Sequence, residues 1–148
     1  MKLKIILFGF SLLFSTGMSF AQKGKAPKSI ISERVTIKKY YNREELDRLN
    51  KGDLIVLYAE RIEVLVKTLP YVAFATKPGI TMSSLGIPNN SDNVKALDSQ
   101  FEATNTFLLN TNSFHRDYLP YSDTRNLIAA ILYYEEIMKS LHQYSDFN

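Results

Sequence analysis

The stretch Asp53-Leu54-Ile55-Val56-Leu57-Tyr58-Ala59-Glu60-Arg61-Ile62-Glu63-Val64-Leu65-Val66-Lys67-Thr68-Leu69-Pro70 steps its apolar side chains at helical period. Leu54, Tyr58, Ile62, Leu65 and Leu69 are spaced by four, four, three and four residues, which stacks them on one face of an α-helix. Glu60, Glu63 and Lys67 fall on the opposite face. Pro70 removes a backbone donor and clashes with the preceding turn, so the helix stops or kinks there. Arg61 breaks the pattern, because it lies at the edge of the apolar face beside Leu54 and Leu57. A charge in that position needs a partner or a route to water.

The partner is sought in the other strongly periodic stretch, which runs from Ser122 or Asp123 to about Tyr144. Leu127, Ile131, Tyr134, Ile137, Met138 and Leu141 form a broad apolar face, which predicts the central helix of the packing. Glu135 sits on the flank of that face near Ile128 and Ile131, whereas Glu136 points away. A bidentate Arg61–Glu135 pair would set the register of the two helices. A structural ion pair, or an arginine whose stem packs while its head reaches water, is favoured here over a ligand-binding arginine.

Outward from these two helices the signals are shorter. Asn42 followed by Glu45 is a capping-box pattern and predicts a short helix over Arg43–Asn50. Lys51-Gly52-Asp53 interrupts it, with Asp53 read as the N-cap of the long helix. Tyr71–Ala75 either continues that helix beyond a kink or leaves it. Thr76–Asn90 carries turn chemistry, yet its Ile80, Met82, Leu85 and Ile87 predict a connector packed onto the body. A third helix is expected from Ser91 or Asp92, with Val94, Leu97, Phe101, Thr104 and Leu108 as a narrow stripe. Its end is placed at Asn110-Thr111-Asn112-Ser113, with a polar connector running to Tyr121. Ser29–Tyr41 has no evident partner strand and reads as an extended arm, whose Ile30, Ile31, Val35 and Ile37 lie against the body. The expected fold is an all-α, single-domain antiparallel bundle of about four helices, one short, over residues 42–148 with an extended N-terminal arm.

The chain opens with Met1-Lys2-Leu3-Lys4, an apolar run from Ile5 to Phe14, and a small-residue ending at Ser19-Phe20-Ala21. That order is the pattern of a secretory signal peptide over residues 1–21, cleaved before Gln22. The run is too short for a membrane span, which needs roughly 20 apolar residues, so no transmembrane anchor is expected in the mature chain. The expected address is the periplasm or the cell exterior, and the richness in Lys, Asn, Ile and Tyr fits a bacterial source. No cysteine is present, so neither a disulfide nor a lipidated cysteine supports the domain.

The formal charge of +3 belongs to the N-terminal segment. Without Lys2 and Lys4 the chain holds sixteen basic and fifteen acidic residues. From Ser29 onward, past Lys23, Lys25 and Lys28, thirteen basic residues face fifteen acidic ones. Residues 22–41 thus divide into a flexible basic tail and the arm. A nucleic-acid binder carries its basic patch on the folded domain, so no nucleic-acid partner is expected.

Motifs of reaction chemistry are missing. The chain has two histidines, His115 and His142, no Glu-x-x-His pair, no His-Glu-x-x-His and no Gly-x-Ser-x-Gly. No metal ligand set and no cofactor is expected. Ser113, His115, Asp117 and Asp123 lie close in sequence, but a catalytic triad is a matter of geometry and such polarity is ordinary in a connector. The densest polar-aromatic cluster is His115, Arg116, Asp117, Tyr118, Tyr121 and Arg125. Its tyrosines, and Tyr58 on the long helix, suit sites that are dry at one end and wet at the other. Three functions follow in order of support. The first is a non-enzymatic exported module that binds a protein or an envelope component. The second is a small-ligand protein with an inter-helix pocket around Arg61 and tyrosines. The third, remote, is a hydrolase using the region from His115 to Arg125.

Overall fold

The structure, a computed structural model, describes residues 27–32 and 35–145. The signal peptide expected over residues 1–21 and most of the expected basic tail lie outside the described residues.

Each helix start is set by a short polar side chain. Asn42 and Glu45 form the full capping box: Glu45 N donates to Asn42 Oδ1 at 2.8 Å, and Asn42 N donates to Glu45 Oε2 at 3.0 Å. The helix they open, α1, covers only Arg43–Leu46, not the stretch to Asn50. It stops early because Asn50 is taken up as the next cap. Asn50 has extended backbone, and its Oδ1 accepts from Asp53 N at 3.0 Å while its Nδ2 donates to the Asp53 carboxylate at 2.6 Å. Asp53, expected as the cap, is therefore a first-turn acid whose charge suits the helix N-terminus. The long helix α2 spans Lys51–Thr68.

Pro70 ends α2 as its missing donor requires, in a 3₁₀ turn at Leu69–Tyr71. The helix does not resume over Tyr71–Ala75; both of those end residues are instead buried in the core. The connector does pack down: Met82 is buried, and Ile80 and Ile87 rest on the core, while Leu85 is exposed. Gly86 turns the chain with φ of 74°, a left-handed conformation that side chains disfavour.

Helix α3 runs from Ser91 to Tyr118, capped by Asn90, and so passes straight through the expected stop at residues 110–113. Asn, Thr and Ser are mediocre helix formers but do not break a helix, and no glycine or proline intervenes before Pro120. Leu108 is buried and His115 half-buried, so the packed face continues across the polar stretch. His115, Arg116, Asp117 and Tyr118 thus belong to the end of α3, not to a connector. A 3₁₀ turn at Leu119–Tyr121 leads to α4, Thr124–Ser145. Asp123 opens α4, its Oδ1 accepting from Arg125 N at 2.8 Å.

The all-α fold is as expected, and among the described residues there is no strand, only an isolated bridge between Ser29 and Thr81. The centre differs from expectation. Helix α2, not α4, is the middle element: it packs most extensively on α4 and also on α3, whereas α3 and α4 barely meet. Contacts of Tyr58 with His115 and of Tyr71 with Phe101 show α2 and α3 to be antiparallel. Leu54 clusters with Leu127, and Val64 and Leu65 with Met138, so α2 and α4 run the same way.

The core has two clusters. One joins Leu46, Leu54, Leu127, Ile128 and Ile131. The other joins Val64, Leu65, Tyr71 and Met138 with Ile30, Ile31 and Val35 of the arm. The arm is thus part of the body rather than a strap over it. Ile30 N donates to the Ile80 carbonyl at 2.8 Å, anchoring arm to connector.

Candidate functional site

Arg61 and Glu135 meet between the two apolar clusters, 1% and 0% exposed. Arg61 lies midway along α2 and Glu135 midway along α4, so the parallel packing of the two helices brings them level. The expected pair is present, but its geometry differs from a bidentate fork. Arg61 Nε and Nη2 both donate to Glu135 Oε1, at 2.9 and 2.7 Å. The other carboxylate oxygen, Oε2, accepts from Tyr41 N at 2.8 Å. Nη2 also donates to the Lys39 carbonyl at 2.7 Å, and Nη1 lies 3.3 Å from the Glu60 carboxylate. The pair therefore holds three segments: α2, α4 and the arm at residues 39–41. The guanidinium is thus engaged by two carboxylates and a backbone carbonyl. The sequence contained no signal for the hydrogen bonds of Lys39 and Tyr41, because both are made by backbone atoms; the Tyr41 ring also lies under the Arg61 guanidinium, 5.9 Å from its carbon.

Tyr58 and His115, assigned to different parts of the sequence, are brought together. Their rings lie edge to face at 5.3 Å. From this contact an unbroken run of rings crosses three helices. Tyr118 stacks on Phe114 at 4.5 Å, and Phe114 neighbours His115 at 6.1 Å on α3. Tyr58 of α2 then meets Tyr134 of α4 at 5.7 Å, and Tyr134 meets Tyr133 at 6.0 Å. The middle of the run is half-buried and its ends are exposed: Phe114, Tyr118 and Tyr133 each show more than half of their surface. Phe107 extends the stripe two turns back along α3, and Tyr121 extends it into the following turn, 88% exposed. The sequence reading missed Phe107, Phe114, Tyr133 and Tyr134 as parts of this surface. The seven-residue spacing of Phe107, Phe114 and Tyr121 was the available signal.

Burial shapes the titration of these groups. Enclosure, and then the neighbouring Tyr134 hydroxyl, pushes Tyr58 up to about 12. Desolvation alone lowers His115 below the usual imidazole range, and its Nδ1 is buried without a hydrogen-bond partner. The His115 ring lies against the rings of Tyr58 and Phe114. Ser113 Oγ accepts from Arg116 Nη2 at 3.4 Å. Arg116 and Asp117 form an exposed contact at 3.6 Å, as do Arg125 and Asp123 at 3.2 Å; Tyr121 and Arg125 are not drawn into a common site with His115. Among the described residues no three His, Asp or Glu side chains converge as a metal site, and no helix is long and apolar enough to cross a membrane.

Compared with protein-family models, with curated proteins and with solved structures, the chain matches none.

Proposed function

We propose that this chain is an exported, non-enzymatic interaction module of a bacterial envelope, acting in the periplasm or outside the cell and binding a protein or envelope component. The observation that carries the reading is the exposed aromatic stripe of Phe107, Phe114 and Tyr118 on α3, continued by Tyr121. Stably folded monomers seldom leave several large rings exposed in one line, and rings of this kind anchor interfaces. No charged residue interrupts the line of positions 107, 111, 114, 118 and 121. The signal-peptide pattern over residues 1–21 supports the address.

Two measurements test the reading. Expression with the leader in a Gram-negative host should release a chain whose mass begins at Gln22; a full-length cytoplasmic product would remove the export half. A photo-crosslinking residue at position 114, presented to envelope fractions, should form an adduct that Tyr118→Ser and Phe107→Ser abolish. The same probe at Val56, exposed on the far side of α2, should form none. Equal labelling at both positions, or adducts indifferent to the two serine changes, would remove the interaction half.

A further inference from the structure

The arm does more than complete the core. Where it passes the end of α2 and the middle of α3 it leaves an open cleft of about 450 Å³. Small-molecule sites are typically about 300–1,000 Å³, mostly apolar, with a few polar groups. The cleft has that make-up. Val35 of the arm, Tyr71 and Phe101 line it, the two rings meeting edge to face at 6.2 Å. Lys28 at the start of the arm and Lys67 of α2 line it as well, with Thr104 and Asn105 of α3. Among the described residues no carboxylate lines it.

Both lysines have acidic neighbours beyond the lining, Asp98 for Lys28 and Glu63 for Lys67. All four side chains are at least a quarter exposed, and such solvent-screened pairs are weak, so an entering anion exchanges for them at little cost. The Tyr71 hydroxyl is buried beside the Thr104 hydroxyl, which donates to the Gln100 carbonyl at 2.8 Å.

We propose that this cleft binds a small amphiphilic anion: a carboxylate on an aromatic or branched apolar body, with the body against Phe101, Tyr71 and Val35 and the carboxylate between Lys67 and Lys28. The aromatic floor takes the apolar part, the paired ammonium groups select the negative end, and the open mouth admits the ligand without opening the core. The site uses residues 101–105 of α3, N-terminal to the exposed stripe that begins at Phe107, and does not depend on the stripe having a partner.

The test uses the processed chain and two probes of one shape, 3-phenylpropionate and its uncharged amide, followed by backbone amide shifts. The carboxylate should move the signals of residues 67, 71, 101, 104 and 105. The amide should need about tenfold more ligand for the same movement, the loss expected for one charge-assisted contact. Lys67→Gln should bring the carboxylate down to the level of the amide. Asn105→Trp, which fills the cleft from an exposed position, should abolish both responses while leaving the fold intact. Equal responses to the two probes, a Lys67→Gln variant that binds as the parent does, or movement confined to residues 107, 114 and 118 would overturn the assignment.

Discussion

Removing the Arg61 side chain would leave the Glu135 carboxylate fully enclosed, with the Tyr41 amide as its remaining donor. Arg61→Ala is therefore expected to cost about 3–5 kcal/mol in urea unfolding, as for other broken buried pairs. A loss below half a kilocalorie would show that the pair contributes nothing net. Replacing both residues by methionine should recover part of that loss, because no charge is then stranded. Recovery should be incomplete, since the Lys39 carbonyl and the Tyr41 amide lose their partners. Hydrogen exchange at residues 39–41 should quicken in both variants. The Arg61–Glu135 contact itself was legible in the sequence, because helical period places both residues at the edges of apolar faces. Its asymmetry was not, since one carboxylate oxygen is claimed by backbone that only the docked arm supplies.

The helix starts near Asn42, Ser91 and Asp123, and the stop at Pro70, were readable because each depends on hydrogen bonds within a few residues. The end of α3 was not readable, since weak propensities at residues 110–113 yield to a packed face that reaches His115. That histidine makes the docking of α3 on α2 sensitive to acid. Its folded pKa is lowered by burial against an unfolded value of about 6.5. The stability it supports is present in full above the unfolded value and falls as pH drops toward and through the lowered folded value, where the unfolded chain takes up the proton first. The parent should thus lose more stability between pH 7.5 and pH 5 than His115→Gln, by urea unfolding at the two pH values. Identical losses would mean that His115 carries no proton linkage.

Over the whole molecule, the arm decides how much of the second apolar cluster is closed. Ile31 is 1% exposed and belongs to that cluster together with Val64, Leu65, Tyr71 and Met138. Ile31→Ala should cost about 2–5 kcal/mol, the range for a truncated core side chain. Val56→Ala, at a site 66% exposed, should stay within about 0.5 kcal/mol. Matching small effects would mean that the arm lies on the body without belonging to its core. By itself the sequence determined the helical class, the capping box at Asn42, the stop at Pro70, the inward-facing apolar positions of the arm and the Arg61–Glu135 pair. These follow from period and from local hydrogen bonding, which act over a few residues. Only the tertiary structure decided that α2 is the central helix, that Glu135 is shared between Arg61 and the arm, that six rings line up across three helices, and that a cleft opens behind the arm. Each of these joins segments distant in the chain, and the spacing of residues along one helix carries no information about which flank a neighbour will leave uncovered.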